Sequence, residues 1–192
     1  AATQRAAAVF SHVNDRVVPM SSPDAAEMAK LLENTFRNVN IAFVNQLALL
    51  CERMGLDVWE IIDAAATKPF GFMRFTPGPG VGGHCIPVYP YFLANDQTEI
   101  IAAARRLNDD MAHYAVGRLA NALGSLEGTA VVVLGLAYRP GVKESRHSSA
   151  FGLASALIEE SCAKHGIARD TLTLHSDRGT QMRAKTTAEL LV

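Results

Sequence analysis

Cysteine is scarce in this sequence and badly placed for cross-linking. Cys51, Cys85 and Cys162 are an odd number at wide, irregular spacing. No C-x-x-C pair occurs, which argues against a disulfide framework or a zinc site and makes a reducing, cytoplasmic setting the expectation. Long apolar runs are missing as well. A stretch such as Ala130 to Leu136 falls far short of a bilayer span, and the N-terminus has neither a basic segment nor an apolar core of the kind that targets secretion. Charge of one sign is not in excess, with 18 basic against 19 acidic residues, so nothing global points to nucleic acid or a membrane surface. No internal repeat or low-complexity stretch is visible, and the glycines of Gly78 to Gly83 are not a GxGxxG dinucleotide fingerprint, because no strand precedes them and no helix opens on them. The opening Ala1-Ala2-Thr3 has no initiator methionine, which reads as a start inside a longer frame.

What is present is helix signal. Ser22 is placed as an N-cap, Pro23 suits the first helical position, and Asp24 lies in the first turn. From there no Gly or Pro interrupts the chain until Gly55, a natural left-handed stop after Met54. A helix of that length spans about 45 Å. It is apolar around much of its circumference, so the pattern implies burial between neighbours or between subunits. A short helix over Val58 to Ala66 is expected next, ending before Lys68-Pro69. Tyr91 to Gly124 reads as mostly helical, with Arg105, Arg106, Asp109 and Asp110 on its polar side.

At Thr129 the pattern changes. Ala-Val-Val-Val-Leu-Gly-Leu is a short β-branched run of the kind that forms a buried parallel strand. A helix over Ser148 to His165 and a second strand over Thr171 to His175 would complete a βαβ unit. The expected fold is therefore a mainly α domain over 1–125, followed from 128 by a partial α/β, Rossmann-like segment.

Two groups of residues can carry chemistry. Lys30 and Asn34 are four apart on one helix face, where an ammonium and an amide N–H can converge on a developing oxyanion. A solvated lysine beside a surface asparagine has the same spacing, and Glu27 or Glu33 can pair with Lys30. The second group is the loop TPGPGVGGHCIPVYP, Thr76 to Pro90, with four glycines and four prolines. Gly78, Gly80, Gly82 and Gly83 let backbone N–H groups approach a ligand without a Cβ in the way. Cys85 follows them, either as a nucleophile whose thiol is activated by a nearby cation or as an inert small hydrophobe. Neighbours on an extended chain point to opposite sides, so a His84/Cys85 pair is not expected. Trp59, Phe70, Phe72 and Phe75 read as core or interface. Arg139 and Arg146 lie beyond the β-branched run, at the end of a parallel strand where α/β sheets bind ligands. They can pair with phosphates there, or be surface arginines without function. His12, His113, His147 and His165 receive no role.

Taken together, these segments resemble the nucleotide-sugar 6-dehydrogenases of the UDP-glucose/GDP-mannose dehydrogenase family. AEMAKLLENTFRNVNIAFVNQLALLCERMGLD is similar to that family's central-domain helix, and PGPGVGGHCIPV to its cysteine loop. VVVLGLAYRPGVKESRHSSA resembles the start of the family's UDP-binding domain. The details suggest the UDP-N-acetylmannosamine branch. The resemblance implies that a UDP-sugar alcohol is oxidised twice to a carboxylate, with two hydrides passed to NAD. Cys85 would form the thiohemiacetal and thioester, Lys30 and Asn34 would stabilise the oxyanions, and Gly80, Gly82 and Gly83 would pack against the substrate. Arg139 stands where the family has a substrate-contacting lysine, and Arg146 matches an arginine near the cofactor or interface. The long helix, 23–54, would be the core of a homodimer.

Three departures accompany the resemblance. The family's aspartate four residues after the cysteine is Tyr89 here, and a phenol is a poor base near neutral pH. The family's NAD-binding domain would precede Ala1, leaving the NAD site incomplete. The third lies in the tail, where LTLHSDRGTQ is similar to the second metal-binding strand of DDE-type transposases and integrases, with Asp177 as its carboxylate. That likeness implies a transposase-derived segment over 151–192, with the alternative that it is a divergent second Rossmann strand. One carboxylate does not make a metal site, so no metal is expected. The net charge of -1 argues against nucleic-acid binding.

Overall fold

The computed structural model describes residues 2–126 and 129–165, the side chains of 161–165 excepted. Five α-helices and one 3-10 turn make up its regular structure: α1 (Ala2–Phe10), α2 (Pro23–Met54), α3 (Val58–Ala66), the 3-10 turn Tyr89–Phe92, α4 (Glu99–Leu123) and α5 (Ser149–His165). No strand occurs among the described residues.

The 32-residue α2 begins and ends where its sequence dictates. Ser22 Oγ accepts from the Ala25 N–H at 3.1 Å, Pro23 fills the first turn, and Gly55 closes the helix at φ 68° with its N–H on the last carbonyls. Helix α3 starts on Asp57, whose carboxylate accepts from the Trp59 N–H at 2.9 Å. Helix α4 starts at Glu99, later than the sequence pattern predicts. Asn95 Oδ1 accepts from the Gln97 N–H and Thr98 Oγ1 from the Asn95 N–H, both at 2.8 Å. These local bonds compete with helix over 93–98 and delay its start. Helix α1 was not anticipated from the sequence, and none of its residues is buried.

Helix α4 is the centre of the packing, contacting α2 on one side and α5 on the other, while α3 leans on α2. Its buried positions Ala104, Asn108, Met111, Ala112, Val116 and Ala120 recur at helical spacing. The buried apolar residues of the neighbouring helices are Ala42, Val44 and Cys51 of α2 and Ala150 and Ala156 of α5. Much of this core is alanine, which lets helix backbones approach closely but buries little apolar area. Burial of Val44, Met111 or Val116 contributes about 1.5–3 kcal/mol each.

The strand expected over Ala130 to Leu136 does not form among the described residues, where Val132 and Leu134 are exposed. A parallel strand needs a neighbour to take its N–H and C=O groups, and the described residues supply none. Arg105 is not on the solvent side of α4 but buried at 3% exposure, held by Asn38 and Asp109 and stacked on the Tyr91 ring. The run 171–175 and Asp177 lie outside the described residues. Of the aromatics expected in core or interface, Trp59, Phe70 and Phe72 are exposed in the single chain, whereas Phe75 sits edge-on to Phe36 of α2.

Candidate functional site

The segment 76–92 runs along α2 in the opposite direction and touches it at two places. At one end the Gly78 N–H donates to Asn45 Oδ1 at 2.9 Å. At the other, Lys30 Nζ lies 5.8 Å from the centroid of the Tyr89 ring. Between them Cys85 opens a tight turn, its carbonyl accepting from the N–H groups of Val88 at 3.1 Å and Tyr89 at 2.8 Å. The turn continues into the 3-10 helix, which packs on both α2 and α4. Cys85 is a free thiol, half-buried. The loop thus carries it toward the part of α2 that bears Lys30.

Lys30 is exposed, whereas Asn34 is completely buried. Asn34 Nδ2 donates to the Lys30 carbonyl at 2.9 Å, and its Oδ1 accepts from Arg37 at 3.2 Å. An amide has two N–H donors, so the bond to Lys30 leaves one. Glu33 is paired with Arg37 at 2.6 Å rather than with Lys30.

The glycines of the loop meet a second segment of the same chain, 137–148. A Cβ on Gly82 would stand 2.7 Å from the Tyr138 Cβ and 2.8 Å from the His147 carbonyl. Gly83, at φ 103°, donates its N–H to the His147 carbonyl at 3.3 Å and faces the Tyr138 ring. Gly80 adopts φ 122° beside Ser149 and the Asn108 carbonyl. The close backbone approach expected of a ligand is therefore made here by the chain itself. His84 turns away from Cys85. It lies 3.7 Å from Glu144 and edge-on to Tyr138. The Glu144 carboxyl is held below its ordinary range, chiefly by the Arg146 N–H bonded to it at 2.9 Å, with the charges of Arg146 and His84 adding to the effect.

Arg139 and Arg146 are both exposed. The Arg139 guanidinium stands 5.8 Å from the Tyr138 ring. A cleft of about 540 Å³ borders the loop, lined by Ile41, Arg74, Phe75, Gly80, Gly82 and Tyr138 among others. A larger cleft of about 760 Å³ lies between α3 and α4, near Trp59 and Tyr114. Neither cleft is lined by Lys30, Asn34 or Cys85, but the smaller one is lined by Gly78, Gly80 and Gly82 of the loop that carries Cys85, and we place the candidate site along that loop. Among the described residues no group of three His, Cys, Asp or Glu side chains could hold a metal ion, and no helix is long and apolar enough to cross a membrane.

Sequence reasoning missed a buried polar relay beneath the loop. Asn45 Nδ2 donates to Asn108 Oδ1 at 2.9 Å. Asn108 Nδ2 donates to both the carbonyl and Oδ1 of Asn38 at 3.0 Å, and Arg105 Nη1 reaches the same Oδ1 at 3.0 Å. The available signal was the spacing of Asn34, Asn38 and Asn45, which puts three amides on the face of α2 that also bears Lys30.

Residues 24–110 match the model of the UDP-glucose/GDP-mannose dehydrogenase family, central domain. Among curated proteins, the chain is 43% identical over 147 residues to the UDP-N-acetyl-D-mannosamine dehydrogenase of Pyrococcus horikoshii, covering 73% of this chain and 35% of that protein. It is 38% identical over 138 residues to the NDP-N-acetyl-D-galactosaminuronic acid dehydrogenase of Ralstonia nicotianae, covering 70% and 32%. Among solved structures, a UDP-D-ManNAc dehydrogenase from Pyrococcus horikoshii superposes with a TM-score of 0.71 at 36% identity, over 82% of this chain and 40% of that one. A UDP-glucose dehydrogenase from Pyrobaculum islandicum gives 0.69 at 29% identity, over 91% and 45%. The chain spans about a third of the length of the curated relatives it matches. Over residues 24–110 the chain therefore matches the central domain of the UDP-glucose/GDP-mannose dehydrogenase family.

Proposed function

We propose that the chain is part of an NAD-dependent nucleotide-sugar 6-dehydrogenase that oxidises the C6 alcohol of a UDP-sugar to the uronate, with Cys85 as covalent nucleophile. The names of its relatives favour an N-acetylhexosamine such as UDP-N-acetylmannosamine as substrate. The observation that carries the reading is the course of the loop along α2, which brings the Cys85 turn toward Lys30.

Among the described residues no strand leads through a glycine turn into a helix, the cradle that a dinucleotide pyrophosphate takes. These residues do not fit NAD, and no hydride step is assigned to them. The chain's own chemistry begins at the C6 aldehyde. The Cys85 thiolate adds to the carbonyl carbon, and the oxygen gains negative charge. Lys30 and the remaining N–H of Asn34 stabilise that charge. A thioester on Cys85 would require NAD, held elsewhere in the whole enzyme, to take the thiohemiacetal hydride; water adding to its carbonyl carbon would then give the carboxylate, with the Cys85 thiolate leaving. Tyr89 supplies no carboxylate to take the proton from that water, which makes hydrolysis the slow step in this chain.

Arg139 would meet the diphosphate beside the cleft at Gly80 and Gly82, whereas Arg146, exposed and bonded through its N–H to Glu144, adjoins no cofactor cradle among the described residues. Residues 128–150 would begin the UDP-binding α/β domain. The exposed apolar stripe of α2 would join two copies. Iodoacetamide labelling of Cys85, read by mass spectrometry with and without UDP-N-acetylmannosamine, tests the site. Slower labelling with the sugar nucleotide is expected, and indifference to it rejects the reading.

A further inference from the structure

The relay below the loop does more than fill the space between two helices. Asn38, Asn45 and Asn108 are each completely buried. Asparagine is a poor core residue, because each amide must find partners away from water. An alternating apolar pair would pack α2 on α4 at less cost. What the amides add is a connection from the helix interface to the cysteine loop. Asn45 faces both ways, with Oδ1 accepting from the Gly78 N–H and Nδ2 donating to Asn108. The Asn108 backbone carbonyl lies 3.5 Å from where a Gly80 Cβ would stand, so Asn108 also forms the floor under the next glycine. Asn108 is fixed in turn by Asn38, whose Oδ1 is held by Arg105.

We propose that Asn45 and Asn108 are positioning residues for Cys85. Together they fix the start of the loop against α2, so that the chain leaving Gly78 delivers the thiol in register with Lys30 and Asn34 on the same helix. The two anchor points, Asn45 and Lys30, are separated by fifteen helical residues, about 22 Å along the axis. Without the Asn45 bond the loop would keep its contacts at Tyr89 and with the 137–148 segment, but nothing would tie its start at Gly78 to α2. The second anchor is a neutral amide, whose hydrogen bonds have fixed direction and no dependence on pH. This inference rests on the reading of Cys85 as the reactive thiol, but its geometry can be judged separately.

The test follows Cys85 alkylation and backbone amide exchange over 78–83 in the full chain. Asn45→Ala removes the acceptor and is expected to raise both rates about threefold to tenfold, the range one lost hydrogen bond allows. Exchange in the middle of α2 and α4 is expected to stay at the wild-type level. Should Asn45→Ala fail to fold, Gly78→Pro deletes the donor from the loop side without touching the interface and is expected to raise Cys85 alkylation alike. Wild-type rates in both Asn45→Ala and Gly78→Pro would overturn the proposal. If UDP-N-acetylmannosamine leaves wild-type Cys85 unprotected, the functional reading falls, while the relay still stands or falls on the alkylation and exchange rates.

Discussion

Lys30 stands over the ring of Tyr89 at 5.8 Å, so the residue four positions after Cys85 faces the cation proposed to serve the oxyanion. With Lys30 exposed, such a contact is worth about 0.5–1 kcal/mol, enough to bias the ammonium toward the turn. It holds the cation but cannot accept a proton from water as a carboxylate would.

Tyr89→Asp is therefore expected to speed release of an acyl group from Cys85. After acylation with an activated thioester, deacylation near neutral pH should rise at least about tenfold in the variant, within the range of general-base assistance. Mass spectrometry of the acylated peptide over time measures it. Equal rates in the two proteins would remove residue 89 from the hydrolytic step.

Much of the frame is legible from sequence because it is local. Ser22, Pro23 and Gly55 bound α2 through hydrogen bonds and backbone angles that need no distant partner. Val58 to Ala66 is equally explicit. Arg105 was misread because only the tertiary contact with Asn38 reveals that a charged residue on α4 lies inside. The Asn45–Asn108 bond spans 63 positions, and no periodicity within either helix announces it. Ala130 to Leu136 has strand composition, but a strand is completed by its partner, and the one expected for it, 171–175, lies outside the described residues. At the site, the glycines and Cys85 drew notice by type, whereas Tyr138 and His147, which the glycines meet, have nothing unusual around them in sequence.

Gly82 supplies a steric test of the docked segment. A methyl group there would overlap the Tyr138 Cβ and the His147 carbonyl, at 2.7 and 2.8 Å. Neither is the far end of a flexible side chain. Gly82→Ala is expected to push the 137–148 segment off the loop at a cost of about 1–3 kcal/mol. Loss of protection at the Gly83 N–H in amide exchange, with α2 and α4 unaffected, is the predicted signature.

Acid should weaken the same contact through Glu144. Its carboxyl is lowered in the folded chain, first by the Arg146 N–H and then by the charges of Arg146 and His84. A lowered acid contributes stability that is present above its ordinary value of 4.5 and is lost as pH falls through the lower folded value. The Tyr138 and Gly83 amide signals are expected to hold from neutral pH to about pH 5 and to shift below it. Glu144→Gln should flatten that titration while leaving the helical signals alone. A wild-type titration unchanged by Glu144→Gln would assign the acid response to another group.

The last prediction concerns the face of α2 that its own chain leaves uncovered. Met28, Leu32, Phe36, Phe43, Leu50 and Met54 are 42–65% exposed and recur every four or seven residues along the helix. Apolar residues scattered singly need no explanation, but a stripe along a helix of about 48 Å does. A second copy of the same helix would offer the same stripe and cover it symmetrically. The chain is therefore expected to sediment as a dimer at micromolar concentration. Phe43→Glu, near the middle of the stripe, places a charge on each side of that contact, where burial without a partner is costly. The variant should sediment as a monomer with helix content unchanged, since Phe43 is exposed within one chain. A wild-type monomer would overturn the pairing of α2, and a dimer that survives Phe43→Glu would move the interface to another surface.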